Sequence, residues 1–242
     1  MTDTPDLSGK TALITGASRG IGRAIALALA KAGAHVLALA RTTGGLEELD
    51  DEIRAAGGKA SLIPMDLGAG DNIEQLAGAL AQRFEKLDIL IANAAVLGEL
   101  APLPDIDPRV WQKTLDINVT ANWRLIRAFD SMLRKSEDAR VVFLTSRVGG
   151  EKPRAYWGAY AVSKAALEML AETYAEEAKN SRVSVAIIDP GAMRTGMRAE
   201  AMPGEDPKTL PEPEELTPLI YEALTEELTG ARHFSFRARP RQ

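Results

Sequence analysis

Short apolar segments alternate with longer amphipathic segments along almost the whole chain, and this alternation restricts the fold more than any other feature. The apolar segments are nearly continuous runs, as in strands that are covered on both faces of a sheet. Strict alternation of strands and helices predicts a parallel sheet with helices on both sides. The predicted strands are Thr11–Thr15, His35–Ala40, Ala60–Met65, Leu87–Ala92, Arg140–Thr145, Val183–Ile188 and Arg232–Phe236. The predicted helices are Ile21–Ala32, Leu46–Ala56, Asn72–Phe84, Pro108–Leu133, Tyr160–Asn180 and Glu214–Leu228.

No linker or repeat interrupts this pattern, so the 242 residues predict a single domain, an α/β doubly wound parallel sheet of about seven strands. Residues 1–6 are expected to form a flexible tail. Residues 191–213 are rich in Gly, Pro, Met and charged side chains, and they are too long for a simple connection. They follow a strand at its carboxyl end, where ligands bind in such sheets, and therefore predict a substrate lid. A surface insertion without function is the alternative.

Composition excludes several classes of function. The net charge of −5 argues against nucleic acid as the main partner. The chain has no cysteine, which excludes disulfides and thiolate chemistry, and its 2 histidines are too few for a His-rich metal site. A carboxylate site is left open by this count, but no metal is predicted. Because neither a secretory signal nor an apolar run of about 18 residues is visible, we expect a cytoplasmic protein without a membrane partner.

A glycine-rich turn lies between the first predicted strand and the first predicted helix. Its glycines, Gly16, Gly20 and Gly22, have the spacing G-x-x-x-G-x-G. Glycine lets the chain turn sharply and lets backbone approach a ligand closely, and the N–H groups at a helix start attract phosphate. The segment predicts a phosphate site for a dinucleotide, the alternative being a tight structural turn.

A phenol and an ammonium lie four residues apart at Tyr160 and Lys164, which would put both on one face of a helix. A unit charge about 4 Å from a phenol, at an effective dielectric constant of about 20, lowers its pKa by roughly 3 units before desolvation is subtracted. Lys164 is therefore expected to bring the pKa of Tyr160 towards neutrality, where a general acid or base works best. The spacing alone also occurs by chance in many helices.

Together, the segment Thr15–Gly22 and the pair Tyr160 and Lys164 resemble the short-chain dehydrogenase/reductase family, and the resemblance extends over roughly residues 7–195. It implies a Rossmann-like fold and transfer of a hydride between NAD(P) and a small-molecule carbonyl or secondary alcohol. It also implies that Tyr160 is the general acid in reduction and the base in oxidation. Lys164 would lower the pKa of this tyrosine and hold the ribose hydroxyls of the cofactor.

Two further catalytic residues are implied by the resemblance. Ser146 follows the fifth predicted strand and would donate a hydrogen bond to the substrate oxygen as that oxygen gains charge. Asn118 would hold a water that connects the lysine to solvent. Ser146 lies 14 residues before the tyrosine, where the family usually has 13, so Thr145 is the alternative. Ser163 lies within the helix and is not expected to reach the substrate.

The resemblance also implies a set of cofactor contacts at the ends of the predicted strands. Asp66 and Leu67 would contact the adenine, and the stretch 92–95 would lie under the cofactor. This stretch reads Ala-Asn-Ala-Ala and departs from the family's Asn-Asn-Ala-Gly at its first and last residues. Residues 190–195 would hold the nicotinamide carboxamide. The full predicted set is Gly16, Ser18, Arg19, Gly20, Ile21, Gly22, Arg41, Asp66, Leu67, Asn93, Ala94, Tyr160, Lys164, Pro190, Gly191 and Thr195.

The choice of cofactor is predicted from the residues that follow the second strand. Ala40 stands where an acidic side chain would accept from the ribose 2′-OH of NAD(H). Arg41 comes next and can pair with a 2′-phosphate, and Arg19 adds a second cation in family members that prefer NADP. These residues favour NADP(H), with NAD(H) as the alternative.

Three questions stay open at this point. A regulatory protein that binds cofactor on the same fold without turnover is the alternative function. The resemblance implies a homo-oligomer, with a tetramer favoured over a dimer, formed through the long helices at Pro108–Leu133 and Tyr160–Asn180. No signature identifies the substrate: Tyr156, Trp157 and the methionines of residues 191–213 either line a pocket or simply pack.

Overall fold

A computed structural model describes residues 4–68, 72–150, 153–228 and 230–236. The strands are β1 Thr11–Thr15, β2 His35–Ala40, β3 Lys59–Pro64, β4 Ile89–Ala92, β5 Ala139–Leu144, β6 Val183–Asp189 and β7 Ala231–Ser235. They form one parallel sheet, as predicted, and their order in the sheet is β3-β2-β1-β4-β5-β6-β7. The order reverses between β1 and β4, which creates the switch point where ligands bind in doubly wound sheets.

The helices connect successive strands and cover both faces of the sheet. They are α1 Gly20–Lys31, α2 Thr43–Ala55, α3 Asn72–Ala81, α4 Pro108–Leu115, α5 Ala121–Leu133, α6 Arg147–Gly150, α7 Gly158–Ala178, α8 Gly196–Ala201 and α9 Thr217–Thr225. Short 3-10 turns lie at Leu103–Asp105, Pro207–Thr209 and Pro213–Leu216. In the part of the chain described, no helix combines the length and the apolar character needed to cross a membrane.

The two faces of the sheet form separate apolar cores. Neighbouring strand residues point to opposite faces, so Ile14 packs with α1, α2 and α9, while Leu13 packs with α3, α5 and α7. Phe129 of α5 is among the largest side chains that are completely buried. Burial of a side chain of this kind stabilises the fold by about 1.5–3 kcal/mol, so the two cores fix the strand ends that carry the site.

The amino ends of the strands are held together by one buried carboxylate, Asp88, which precedes β4. It accepts hydrogen bonds from the Thr11 N–H at 2.9 Å and the Ser136 hydroxyl at 2.6 Å, and it pairs with Lys86 at 3.2 Å and Lys10 at 3.7 Å. Burial acts to raise the pKa of Asp88, but the bonds from Ser136, Thr11 and Lys86 outweigh it and hold the pKa below its usual value. This end of the sheet is therefore structural.

The segment predicted as one long helix is helical from Pro108 to Leu133, but the π-helical segment Asp116–Thr120 separates α4 from α5. A π-helical turn inserts one extra residue into the hydrogen-bonding pattern, and such turns occur frequently at functional sites. Helix periodicity in a sequence does not reveal this insertion. Asn118 lies on this segment and is buried, as are Ile117 beside it and Asn122 one turn later.

Helix α2 begins at Thr43, three residues before the predicted Leu46. Its first turn contains Gly44 and Gly45, which are weak helix formers. Gly45 is held by packing: a Cβ there would lie 3.1 Å from both the Cβ and the carbonyl oxygen of Ser18. The first turn of α2 therefore packs closely against the glycine-rich turn.

Three predicted helices end two or three residues earlier than expected, and α1 and α2 end one residue earlier. Helix α3 ends at Ala81 rather than Phe84, and α7 ends at Ala178 rather than Asn180. The last predicted helix begins as a 3-10 turn, and its α-helical part ends at Thr225. These residues have helical composition, but the backbone turns there to enter the next strand.

Candidate active site

The predicted site residues meet at the carboxyl ends of the parallel strands. The glycine-rich turn follows β1, Arg41 follows β2 and Asp66 follows β3, with Leu67 buried behind it. Asn93 and Ala94 follow β4, Ser146 lies two residues after β5, and Pro190 and Gly191 follow β6. Tyr160 and Lys164 reach the same edge from α7, and Asn118 from the π-helical segment.

The glycine-rich turn has the geometry of a phosphate cradle. Gly16 and Gly20 have φ of 68° and 56°, in the left-handed region that favours glycine. A Cβ at Gly22 would lie 2.5 Å from the Asn93 Nδ2 atom and closer still to the Gly16 carbonyl oxygen. Helix α1 begins at Gly20, and the preceding Arg19 makes no side-chain capping bond. The first N–H groups of α1 are therefore available to an anion, and these residues fit a dinucleotide phosphate.

Hydrogen bonds from Asn93, which follows β4, stabilise this turn. Its Nδ2 donates to the Thr15 carbonyl oxygen at 2.8 Å. The Thr15 hydroxyl accepts from the N–H groups of Asn93 and Ala94, each at 3.0 Å, and donates to the Ile91 carbonyl oxygen at 3.3 Å. Sequence reasoning did not assign Thr15 to the site, although its position at the end of β1 was a usable signal. The two residues fix the cradle to β4.

Two cations flank the position expected for the adenosine ribose. Ala40 is buried at the end of β2, whereas Arg41 and Arg19 are exposed. Neither arginine forms an ion pair with any residue that the structure describes. Helix α2 starts beside them, and Thr42 before it makes no side-chain capping bond. This corner combines positive charge with free helix N–H groups, a setting that favours a phosphate.

Tyr160 and Lys164 are both buried on α7. The Lys164 ammonium donates to the Leu144 carbonyl oxygen at 2.7 Å and lies 5.7 Å from the centroid of the Tyr160 ring. The helix thus brings the pair together, as the spacing predicted. The ammonium is held at the end of β5 by the backbone.

The pKa of Tyr160 moves in the direction opposite to the sequence expectation. Burial raises it to about 12, a hydrogen bond from Ser146 works against this rise, and the charge of Asp189 adds to it. Burial also lowers the pKa of Lys164 to about 8, against the effect of the Glu168 charge. The expected shift of the phenol towards neutrality was therefore wrong for this structure, because desolvation of a phenol that is 8% exposed dominates.

The structure separates the two candidate hydroxyls that follow β5. The side chain of Ser146 lies close enough to the Tyr160 phenol to act to lower its pKa. The Thr145 hydroxyl instead donates to the Glu168 Oε1 atom at 2.6 Å, and Thr145 is buried. Ser146 therefore lies next to the phenol, despite the longer spacing in sequence. The short helix α6, which packs Gly149 against Lys164, takes up part of the intervening segment, and residues 151–152 lie outside the described residues.

Asn118 is completely buried, and its amide is used for positioning. Its Oδ1 accepts from the Val96 N–H at 2.8 Å, while its Nδ2 donates to the Val96 carbonyl oxygen and to the Ser163 hydroxyl, each at 2.9 Å. The Ser163 hydroxyl in turn donates to the Tyr160 carbonyl oxygen at 2.7 Å. The expected contact with a water stays a prediction. Ser163, which was not expected to reach the substrate, connects Asn118 to α7.

Apolar side chains enclose the Tyr160 ring. Trp157 lies 5.9 Å from it, edge to face at 73°. Met197 and Met202 pack on the same cluster, whereas Met193 packs in the core of the sheet. The full cluster is Leu97, Leu100, Val148, Trp157, Tyr160, Ala161, Met197, Ala201 and Met202. The methionines predicted as one series thus divide between the site and the core.

Tyr156, the neighbour of Trp157, is 61% exposed and has φ of 72°, the one non-glycine residue with positive φ among the described residues. A bulky residue in this region is strained by about 1–3 kcal/mol, and such strain concentrates at functional sites.

Residues 191–213 form a compact unit with its own hydrogen bonds. Arg198 makes two bonds to Glu205, at 2.6 and 2.7 Å, and the Arg194 Nε donates to the Pro207 carbonyl oxygen at 2.8 Å. The Thr195 hydroxyl accepts from the Arg198 N–H at 3.2 Å, which starts α8. A cavity of about 280 Å³ lies within the unit. A Cβ at Gly20 would lie 3.3 Å from the Thr195 Cγ2, so the segment reaches the phosphate cradle.

Comparison with known proteins shows the family of this chain. Residues 10–206 match the sequence profile of the short chain dehydrogenases, and the chain belongs to the short-chain dehydrogenase/reductase family. It is thus an NAD(P)-dependent dehydrogenase or reductase by class.

Similar proteins cover nearly the whole chain. The oxidoreductase YciK of Escherichia coli K12 is 35% identical over 97% of this chain and 93% of its own. The 3beta-hydroxysteroid dehydrogenase 1 of Eggerthella lenta is 32% identical over 93% and 86%. A Shigella flexneri 2a structure assigned to the short chain dehydrogenases, solved with NADP, superposes with a TM-score of 0.90 at 36% identity, covering 96% and 98% of the two chains.

Proposed function

We propose that the protein is an NADP(H)-preferring oxidoreductase that transfers a hydride between the nicotinamide and a carbonyl or secondary alcohol, with Tyr160 as general acid and base. The observation that carries the proposal is the meeting of Ser146, Tyr160 and Lys164 under an apolar cluster beside the phosphate cradle. The cluster also favours a substrate whose carbonyl bears apolar substituents, since it presents mainly aliphatic and aromatic side chains.

When bound, the cofactor supplies or accepts the hydride. In reduction, the Ser146 and Tyr160 hydroxyls would both donate to the substrate oxygen as it gains charge. Because burial raises the pKa of Tyr160 to about 12, the phenol keeps its proton at neutral pH and can transfer it to that oxygen. Lys164, with a pKa of about 8, remains largely charged and stabilises the phenolate that is left.

Asn118 and Ser163 support this arrangement without touching the reacting atoms. Together they bond the segment at Val96 to the first turn of α7, which fixes Tyr160 relative to β4. Thr195, within the proposed lid, approaches Gly20, and Pro190 and Gly191 follow the end of β6, a position suited to the nicotinamide end of the cofactor. We propose that residues 191–213 close over the substrate through Met197 and Met202.

Substitution of Tyr160 tests the catalytic assignment. Tyr160→Phe removes the transferable proton and keeps the ring, so we expect unchanged NADPH binding and loss of turnover by at least about 100-fold on a panel of ketones and alcohols. Phe at this position also keeps the edge-to-face contact with Trp157. If the wild-type protein binds NADPH but turns over no member of a broad panel, the enzyme proposal fails and cofactor binding without turnover replaces it.

The cofactor preference rests on Arg19 and Arg41, together with Ala40 in the place of an acid. A hydrogen bond to a charged group contributes about 1.5–3 kcal/mol, so we expect Arg41→Ala to lower the preference for NADP(H) by about 10-fold or more. The measurement is kcat/KM for both cofactors in wild type and variant. A wild-type kcat/KM for NAD(H) that equals or exceeds the value for NADP(H) would refute the preference.

A homotetramer is proposed as the assembly. Val162 and Met169 of α7 and Trp123 of α5 are exposed apolar side chains on the helices that the family resemblance assigns to subunit contact. Light scattering of the purified protein tests this assembly, and a monomer mass would refute it.

A further inference from the structure

The buried ammonium of Lys164 has few direct partners. Among the described residues, its one hydrogen bond goes to the neutral Leu144 carbonyl oxygen. A buried ammonium without a nearby opposite charge is costly, and such a group loses its proton instead. Something in the neighbourhood must therefore supply negative charge if Lys164 is to work as a cation.

Charged and titratable groups face this region from three elements besides β5. Asp189 at the end of β6 pairs with Arg147 of α6, with the Arg147 Nε atom 3.5 Å from Oδ2. Tyr160 and Glu168 lie on α7 together with Lys164 itself. Because the Asp189 charge is opposed by Arg147 and the phenol is neutral at ordinary pH, Glu168 is the carboxylate left to balance the ammonium.

Glu168 lies one helical turn after Lys164 and is held in place. The Thr145 hydroxyl donates to its Oε1 atom at 2.6 Å, a short bond typical of a charged acceptor. Thr145 is buried between Leu144, which accepts from Lys164, and Ser146, which contacts Tyr160. The end of β5 thus carries Leu144, Thr145 and Ser146, which lie next to Lys164, Glu168 and Tyr160 in that order.

Helix α6 closes the other side of the carboxylate. A Cβ at Gly150 would lie 2.6 Å from the Glu168 Oε2 atom, and a Cβ at Gly149 would lie 2.6 Å from the Lys164 Cβ. The Gly149-Gly150 pair therefore lets α6 approach the turn of α7 that carries both side chains. This approach reduces the contact of the carboxylate with water and strengthens its electrostatic effect.

We propose that Glu168 is a positioning residue of the active site, held by the Thr145 hydroxyl so that its charge keeps Lys164 protonated at the end of β5. The proposal rests on the proposed function only in assigning Lys164 a part in proton transfer. The electrostatic link between the two side chains can be measured without turnover.

The direction of the effect follows from the charges. Burial lowers the pKa of Lys164 to about 8, and Glu168 acts to raise it. Glu168→Gln removes the negative charge and keeps the shape, so the pKa of Lys164 should fall further. Removal of a unit charge one helical turn away is expected to produce a shift of about one unit. More of the lysine would then be neutral at pH 7 to 8.

The direct test is an NMR titration of the protein labelled with ¹³C-lysine, with the Lys164 signal assigned by its loss in Lys164→Met. We expect the Lys164 midpoint to fall by about one pH unit in Glu168→Gln. Glu172→Gln is the matched control, because Glu172 lies one turn further along α7 and pairs with His233 at the surface. A Lys164 midpoint that is the same in Glu168→Gln and wild type overturns the proposal.

Thr145 variants supply a second test that leaves the carboxylate in place. Thr145→Val removes the 2.6 Å bond and should shift the Lys164 midpoint in the same direction by a smaller amount, whereas Thr145→Ser should restore the wild-type value. Equal midpoints in Thr145→Val and Thr145→Ser would overturn the anchoring part. Circular dichroism establishes that each variant is folded.

The pH dependence of kcat/KM for ketone reduction separates this proposal from the proposed function. If Lys164 must be charged for turnover, kcat/KM should decline at high pH as the lysine loses its proton. The midpoint of this decline should shift to lower pH in Glu168→Gln, by the same amount as the NMR midpoint of Lys164, and should be unchanged in Glu172→Gln. A merely structural role of Glu168 would lower kcat/KM equally at all pH values and would overturn the proposal. If the Lys164 titration midpoint shifts in Glu168→Gln but the pH profile of kcat/KM does not, the electrostatic effect of Glu168 on Lys164 is supported. The same result counts against a role of Lys164 in catalysis.

Discussion

Replacement of Gly22 by alanine tests the phosphate cradle most directly. The new Cβ would lie 2.5 Å from the Asn93 Nδ2 atom, and ordinary contacts begin at about 3.4 Å, so a neighbour must move by about 1 Å. The atoms in the way are backbone of the cradle at Gly16 and the amide that holds it to Thr15. Overpacking of this kind costs about 1–3 kcal/mol, and loss of the Asn93 bond adds about 1 kcal/mol.

We expect this cost to appear in cofactor binding, because the displaced atoms form the cradle itself. The Kd for NADPH, measured by titration of cofactor fluorescence, should rise by about 10- to 100-fold. The melting temperature should fall by several degrees, about 2–4 °C for each kcal/mol lost.

Gly78→Ala is the matched control for Gly22→Ala. Gly78 also lies in a helix, α3, and a Cβ there has no heavy atom within 4 Å. Alanine at such a site favours the helix by up to about 1 kcal/mol, so the Kd should be unchanged and the melting temperature equal or higher. Wild-type affinity and melting temperature in Gly22→Ala would refute the inferred close approach of Gly22 to Gly16.

Three other predictions follow from the geometry of the site and the sheet. Ser163→Ala breaks the connection from Asn118 to α7 and should lower the free energy of unfolding, measured in urea, by about 1–2 kcal/mol. It should also lower kcat more than it changes KM. Asp88→Asn should lower the free energy of unfolding by about 2 kcal/mol at pH 7. Because the folded pKa of Asp88 is lowered, this difference between wild type and variant should disappear as the pH falls below about 4 through that pKa. A difference that is constant with pH would contradict the prediction. Because burial raises the pKa of Tyr160 to about 12, alcohol oxidation, which needs the phenolate, should become faster from pH 6 to 8, and a flat profile would argue against Tyr160 as the base.

The order of strands and helices could be predicted because its signals are local. Apolar runs, glycine turns and helix periodicity each depend on neighbouring residues, and they located the β1 strand and the Gly16–Gly22 turn within a residue of their positions in the structure. The same is true of the pair Tyr160 and Lys164, since four-residue spacing on a helix fixes their shared face. These features do not depend on how distant segments pack.

The π-helical segment and the role of Ser163 depend on distant packing. Asn118 and Ser163 are 45 residues apart and meet only when the π-helical segment packs against α7. The choice between Ser146 and Thr145 was likewise decided by Glu168, which lies 23 residues beyond Thr145 and takes its hydroxyl. The spacing in the sequence did not distinguish the two hydroxyls as candidates for the substrate contact.

The sequence by itself determined which groups meet at the candidate site: a phenol, an ammonium and a glycine-rich turn at the ends of parallel strands. Tertiary structure alone decided their ionisation and their partners. The pKa of Tyr160 is raised to about 12 because the fold buries the phenol, and burial is a property of all the segments around it rather than of the residues beside it. Local spacing predicts which side chains are neighbours on a helix, whereas solvent access and charge balance are set by packing across the whole fold.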